Sequence, residues 1–287
     1  MIGFGQLTYV PDNWFEAYLE NNGMGNGIQY DDSVFTAAID TVTYLDLSYG
    51  AGQAIGVFDL TGIEDFTNLE YLDCSYNLLT SLNLSQNTAL EWFNVKFNQL
   101  NSLDVSHNTA LTYLFCENNP LTSLDLSNNT VLTYLECINI QLISLDLSNN
   151  TALTSLFCEN NQLTILDLSI NTALTHLWCQ NNQLATLDLR NGNNTNVTSF
   201  KSSYNSSLTC INVDNASYSD TNWTHPAYFE LDPQHYFSNN CSETAIEEHT
   251  TNKELLRTID VLGRETKNQP LFYIYDDGTV EKQITIE

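Results

Sequence analysis

The sequence predicts a repeat solenoid. Stacked coils would share a parallel sheet on one side, with returning arms of extended or 3₁₀ structure on the other and a short cover at each end. Three observations carry this. Six units of 21 residues follow one another without a gap from Phe66 to Asn191. Two leucine columns hold through all six: Leu69, Leu90, Leu111, Leu132, Leu153 and Leu174 at the fourth position, and Leu82, Leu103, Leu124, Leu145, Leu166 and Leu187 at the seventeenth. Leu114 and Cys116 alternate with Tyr113, Phe115 and Glu117, the period-two signature of a short strand with one buried face. A lone unit cannot bury its leucines, whereas stacked units make one continuous apolar spine.

The start of the chain, Met1-Ile-Gly-Phe-Gly-Gln6, is short for a signal peptide and lacks its basic region. It reads either as the remnant of one, cut near Gln6, or as an ordinary terminus. Pro11 to Leu19 starts a short helix with Trp14, Phe15, Tyr18 and Leu19 grouped on one side. An open solenoid needs its end covered, so residues 1–40 are expected to cap the first coil. The spacing of Asp12, Asn26, Asp31 and Asp32 does not match an EF-hand loop, and turn chemistry accounts for them better than calcium.

Within the repeats a turn residue recurs as Asn77, Asn98, Asn119, Asn161 and Asn182. An inward asparagine can satisfy backbone groups of adjacent coils that would otherwise be buried without partners. Ile140 breaks this column and predicts a locally altered turn. Cys74, Cys116, Cys137, Cys158 and Cys179 share the ninth position with Val95, so the slot wants a small apolar group. No CxxC or Cys/His cluster points to a metal. This 21-residue unit, with cysteine in a leucine slot, is similar to the cysteine-ladder repeats of bacterial internalin-like surface proteins. The chain resembles the leucine-rich-repeat family from about Thr41 to Asp214, irregular first coil Val42-Thr-Tyr-Leu45-Asp-Leu47 included. The resemblance implies a leucine-rich-repeat solenoid with its strands on a concave face, a helical N-terminal cap, and a role in protein or glycan contact and adhesion.

Cys210 and Cys241 lie off the ladder. In an exported protein such a pair would form a disulfide sealing the last coil, worth about 3 kcal/mol through loop closure. Two unpaired surface thiols are the alternative. Residues 215–252 read as a C-terminal cap and linker. From 253 the composition shifts: Lys253, Arg257, Arg264, Lys267 and Lys282 are five of the eight basic residues. Asp277-Gly278 between Phe272–Tyr275 and Val280–Ile286 is a hairpin signal. Ile259-Asp-Val-Leu-Gly-Arg264 followed by this hairpin resembles the type A C-terminal sorting domain of the bacterial type IX secretion system. That resemblance implies that residues 253–287 engage the secretion machinery and that the protein is extracellular or held at the bacterial outer-membrane surface. The alternative is a small β tail belonging to the solenoid.

Outward strand positions are the natural place for a ligand, because backbone amides there are tied up in the sheet. One column runs Tyr71, Trp92, Tyr113, Tyr134, Ser155, His176; its neighbour runs Asp73, Asn94, Phe115, Glu136, Phe157, Trp178. The candidate ligand-binding residues are Tyr71, Trp92, Tyr113, Phe115, Tyr134, Glu136, Phe157, His176 and Trp178. Tyr and Trp give large contact area with few rotors, and contiguous exposed aromatics mark interaction faces. Strand propensity alone is the competing explanation. Glu117, Glu159 and Lys96 are expected to form a polar border. On the returning arm Asp104, Asp125, Asp146, Asp167 and Asp188 recur once per coil. At about 5 Å spacing, like charges cost roughly 0.8 kcal/mol even in water. Turn hydrogen bonds answer this better than calcium does.

With 8 basic against 35 acidic residues and a net charge of −27, the chain repels nucleic acid and anionic lipid and favours cations or basic partners. No apolar run approaches the roughly 18 residues of a membrane span. Catalysis would need a positioned nucleophile, paired carboxylates or a metal cluster. The five histidines, His107, His176, His225, His235 and His249, are scattered. Glu136 with Glu117 or Glu159 imitates a glycosidase pair, but on a shallow open surface instead of a water-excluding cleft. The expectation is therefore a secreted or surface protein that binds without catalysis and needs no cofactor. A structural envelope scaffold with no specific ligand is the alternative, and a glycan-active enzyme a remote one.

Overall fold

The computed structural model describes residues 5–48 and 56–241, together with the backbone of three strands between residues 255 and 282. Residues 1–4, the bulk of the suspected signal-peptide remnant, lie outside the described residues. The chain divides into two compact units, Met1–Cys241 and Ser242–Glu287.

The first unit opens with β1 (Leu7–Tyr9), helix α1 (Asn13–Asn21), β2 (Ser33–Phe35) and helix α2 (Thr36–Ile39). The two strands pair antiparallel. Asp12 starts α1: its Oδ1 accepts from the N–H groups of Trp14 and Phe15 at 2.9 and 3.0 Å, which supplies partners that a helix N-terminus otherwise lacks. Its Oδ2 accepts from the N–H groups of Phe58 and Asp59 at 2.8 and 3.1 Å. One carboxylate thus begins the helix and fastens it to the first coil. Phe15 and Leu19 are fully buried, with the Phe15 ring stacked on Phe66. The apolar side of α1 is narrower than the sequence suggests. Trp14 is half exposed and Glu16 is buried in its stead, because the (i, i+4) pair Phe15 and Leu19 sets the inward face. Glu16 Oε1 accepts from the Asp31 N–H at 2.9 Å, and burial pushes its carboxyl above the ordinary range. Asn26, Asp31 and Ser33 bond one another, as turn chemistry requires.

The coils follow. Their strands are β3 (Tyr44–Asp46), β4 (Tyr71–Asp73), β5 (Trp92–Asn94), β6 (Tyr113–Phe115), β7 (Tyr134–Glu136), β8 (Ser155–Phe157), β9 (Ile165–Asp167), β10 (His176–Trp178), β11 (Thr186–Leu189), β12 (Ser199–Lys201) and β13 (Cys210–Val213). Helix α3 (Ala216–Asn222), β14 (Phe229–Glu230) and β15 (Tyr236–Ser238) close the unit. Nine strands form the parallel sheet of the concave face, in the order β14-β12-β10-β8-β7-β6-β5-β4-β3. The 21-residue register puts Tyr113 beside Tyr134 and Leu114 beside Leu135. Among the described residues the molecule is the parallel-sheet solenoid that the periodicity predicts, of the leucine-rich-repeat kind that the resemblance implies.

The returning arms hold something the periodicity does not announce. Four of their strands make a second parallel sheet, β15-β13-β11-β9, confined to the last coils, while the earlier arms are turns and a 3₁₀ segment at Ile63–Asp65. Position sixteen of the repeat explains the boundary. It is Ser81, Ser102, Ser123 and Ser144 in the first four units, then Ile165 and Thr186, whose β-branched side chains favour extended backbone.

Inside, the fourth-position leucines and all five ladder cysteines are buried, and the cysteines are free thiols. Burial pushes their pKa upward, which keeps them protonated and inert. The asparagine turn works as expected. Asn119 Nδ2 donates to the carbonyls of Val95 and Cys116 at 3.0 and 3.1 Å, and its Oδ1 accepts from the Leu100 N–H at 3.1 Å. Asn205 extends this column by one coil. At Ile140 the turn is altered as predicted: Gln141 adopts φ 67°, and Asn161 Oδ1 accepts from both Ile140 and Leu142 N–H.

The disulfide joins Cys210 to Cys241, with Cα atoms 5.7 Å apart. In the second unit β16 (Leu255–Ile259), β17 (Phe272–Tyr275) and β18 (Val280–Lys282) form an antiparallel sheet in that order. The pairing of β17 with β18 is that of the expected hairpin. Its Asp277-Gly278 turn and most of Ile259-Asp-Val-Leu-Gly-Arg264 lie outside the described residues.

Candidate functional site

Strand alternation sends positions six and eight of each coil outward, and the in-register stacking brings each such side chain beside its counterparts one coil away. The result is a continuous run of touching rings. Tyr44 stacks on Tyr71 with centroids 4.3 Å apart, and Tyr71 on Trp92 at 4.1 Å. From there the run crosses between the two columns. Trp92 meets Phe115 at 5.1 Å, Phe115 meets Tyr134 at 5.1 Å, Tyr134 meets Phe157 at 5.3 Å, and Phe157 meets Trp178 edge-on at 5.1 Å. Tyr113 leans on Tyr134 at 5.8 Å and is the more exposed of the two. At the far end the Lys201 ammonium lies 4.1 Å over the Trp178 ring.

Eight of the nine candidate residues belong to this surface as ring partners or as a direct hydrogen-bond partner of one. Glu136 is the polar member: its Oε1 accepts from the Tyr134 hydroxyl at 2.7 Å. His176 stands apart from the ring run, held at the edge between the hydroxyls of Thr175 and Thr198 at 2.9 and 3.2 Å. Ser155, the small residue in the first column, leaves the gap that separates it from Tyr134. Sequence reasoning missed Tyr44 and Lys201. The signal for Tyr44 is present in Tyr44-Leu-Asp46, which repeats Tyr71-Leu-Asp73 one coil earlier. Lys201 needed the register β10 to β12, which the irregular spacing after Asn191 hides.

The expected polar border is a different object. Lys96 Nζ does reach Glu117 at 3.9 Å. Glu159, however, is buried at 7% exposure and its Oε2 has no hydrogen-bond partner. Burial, reinforced by the charges of Glu136 and Glu117, pushes the Glu159 carboxyl up to about 7; Lys201 opposes this. Burial and Glu136 likewise raise Glu117. Burial pushes the Tyr71 and Tyr134 phenols up too, so both stay neutral hydrogen-bond donors.

On the other side of the solenoid the recurring aspartates are turn acceptors. Asp104, Asp125, Asp146 and Asp167 each take the N–H two residues on, from Ser106, Ser127, Ser148 and Ser169, at 2.9 to 3.0 Å. Asp188 takes that of Arg190 and pairs with its guanidinium. Hydrogen bonds from Ser106, Ser127 and Ser148 hold the carboxyls of Asp104, Asp125 and Asp146 below the ordinary range. Among the described residues no group of three His, Cys, Asp or Glu side chains converges as a metal site would require, and no helix is long and apolar enough to cross a membrane.

No protein-family model matches the chain, and no curated protein matches it. Among solved structures it is similar to the functional domain of InlJ from Listeria monocytogenes, which includes a cysteine ladder. The identity is 28% over 81% of this chain and 63% of that one, with a TM-score of 0.45. It is also similar to internalin C2 from Listeria monocytogenes, at 20% identity over 63% of this chain and 92% of that one, TM-score 0.47. A leucine-rich-repeat protein from Leptospira interrogans shares 19% identity over 60% of this chain and 50% of that one, TM-score 0.45. The chain thus spans 63% of the InlJ domain and half of the Leptospira protein.

Proposed function

We propose that this chain is a non-catalytic binding or adhesion protein that takes a protein or glycan ligand on its concave face. One observation carries the reading: the run of rings from Tyr44 to Trp178 crosses seven adjacent strands and leaves every one of its members at least partly exposed. Strand propensity would scatter aromatics over both outward columns of any coil; it does not link them. Contact area of this kind is characteristic of interfaces, where Tyr and Trp contribute most of the energy. Catalysis is disfavoured because Glu136 and Glu117 lie along an open sheet surface that does not exclude water. The test is to replace Trp92, Tyr113, Phe115 and Trp178 together by serine and to screen both proteins on protein and glycan arrays. Ligands retained by the parent and lost by an equally folded variant support the reading. If the parent captures nothing, the protein is a scaffold.

We further propose that the protein acts outside the cell or at a bacterial outer-membrane surface, delivered by residues 253–287 as a type IX sorting signal. The support is the resemblance of Ile259–Arg264 and the hairpin strands to such domains. Fusing residues 253–287 to a periplasmic reporter, in a bacterium that carries the machinery, should move the reporter to the cell surface or medium. A reporter that stays periplasmic refutes the assignment.

A further inference from the structure

Among the described residues, the middle of the concave face carries negative charge that the cations leave largely unanswered. Glu136 on β7 lies in register between Phe115 on β6 and Phe157 on β8, so a ring stands one strand spacing away on either side of its carboxylate. Tyr134, which touches both rings, donates to Glu136 Oε1. Two positions along, at the edge of the same face, Glu117 and Glu159 belong to the neighbouring coils. Glu159 is more than nine-tenths buried with Oε2 unpartnered, and in the coil beyond it Gln180 Oε1 is buried and unpartnered as well. A buried carboxylate oxygen without a partner is a standing cost that an incoming cation removes.

The chain's own cations display the two contacts on offer. Lys96 pairs with Glu117 on one flank, and Lys201 lies over the Trp178 ring on the other. The third basic residue whose side chain is described, Arg190, is engaged by Asp188 on the returning arm. Coils bearing Glu136 and Glu159 therefore contribute no cation of their own. The carboxylates do not converge as a metal ion requires. They suit a larger cation with donors spread over several ångströms and flat faces to lay against rings, which describes a guanidinium.

We propose that the concave face between β6 and β8 is a receptor for an arginine side chain, with Phe115, Tyr134 and Phe157 as its walls and Glu136 and Glu159 as its countercharges, and that the partner is accordingly a basic protein segment. This rests on the binding reading above and commits it to a protein ligand.

The experiment titrates the full chain with a tetra-arginine peptide and with its uncharged citrulline counterpart, at pH 8 so that Glu159 is ionised and in 150 mM salt, by calorimetry. A chain of net charge −27 attracts polycations anywhere on its surface, so the controls matter. Asp125→Asn and Asp146→Asn remove the same charge on the returning arm and keep the turn acceptor. Glu136→Gln and Glu159→Gln remove it in the site. The arginine peptide should bind the parent, the citrulline peptide should not, and each site variant should weaken binding about tenfold, as expected for one lost charge-assisted pair. The arm variants should stay within about twofold, since their carboxylates lie outside the site and are screened. Thermal melts confirm that the variants are folded, and Glu136→Gln alone decides the site arm if Glu159→Gln is not. Equal weakening by arm and site variants, equal binding of citrulline, or no binding of arginine each overturns the proposal. If array ligands still depend on Trp92, Tyr113, Phe115 and Trp178 while tetra-arginine does not bind, the binding reading stands and the arginine site falls.

Discussion

At the scale of single residues, the chain's polar interior divides into what periodicity reveals and what it conceals. The asparagines at Asn77, Asn98, Asn119, Asn161 and Asn182 were legible, because a polar residue repeating beside buried leucines must have a backbone to serve. A second column, Asn87, Asn108, Asn129, Asn150 and Asn171, repeats as strictly, but asparagine before threonine also suits an exposed turn, so repetition alone does not mark it as buried. These residues are fully buried, and Asn129 Nδ2 donates to the carbonyls of Val105 and Asn108 at 3.1 and 2.9 Å. Glu159 was misjudged for the opposite reason. Its burial depends on neighbouring coils and has no local sign. That burial has a pH consequence. Between its ordinary value of 4.5 and the folded value of about 7, the folded chain holds a proton on Glu159 that the unfolded chain has lost. The folded state binds more protons in this window, so stability falls as pH rises from 4.5 to 7 and levels off above. Urea melts at pH 5 and pH 8 should show the parent losing on the order of 1–2 kcal/mol more than Glu159→Gln, a figure discounted for solvent screening. Parallel behaviour of the two proteins would mean that Glu159 ionises freely in the fold.

At the scale of elements, the sequence read best where one pattern settled one decision. Period two over three residues, flanked by invariant leucines, fixes each concave strand and its register. Helix α1 was legible from Pro11-Asp12, yet its orientation was not. Four apolar residues, Trp14, Phe15, Tyr18 and Leu19, span too wide an arc for all to face one coil. Which of them turns inward depends on Asp12 holding Phe58 and Asp59, a bond between residues 46 and 47 positions apart. The second sheet shows the same limit in reverse. Its local cause, the change from serine to Ile165 and Thr186 at position sixteen, was in plain view. Its consequence was hidden, because β-branched residues make an arm extended only when the neighbouring coil offers a strand to pair with. The aromatic face follows from both kinds of information. The columns are visible in the sequence, while the crossing from Trp92 to Phe115 and on to Tyr134 depends on side-chain volumes meeting across strands.

At the scale of the whole solenoid, each coil of the first unit contacts chiefly its neighbours, so stability is a sum of coil terms and interfaces and a local weakness stays local. The ends then decide how the array opens. At the start the cap helix buries Phe15 and Leu19 and is tied down by Asp12. At the finish, β15 is the edge strand of the four-stranded sheet and lies against β13, and the covalent link from Cys210 to Cys241 spans a sequence separation of 31 residues that includes α3, β14 and β15. Closing a loop of that length stabilises by about 3.7 kcal/mol in the chain-entropy account, somewhat more than the sequence-based figure. Replacing both cysteines by serine should therefore release the last coils selectively. Hydrogen exchange should show protection lost across Ser199–Lys201, Cys210–Val213 and Tyr236–Ser238, while the amides of Cys116 and Cys137, bonded to Glu136 and Phe157 in the middle of the concave sheet, keep theirs. Protection lost evenly from the first coil to the last would show that the array opens as one cooperative unit, with the disulfide acting on all of it. The selective outcome would also leave the concave ring run intact, because its last member, Trp178, sits on β10, inside the coils that the free end leaves closed.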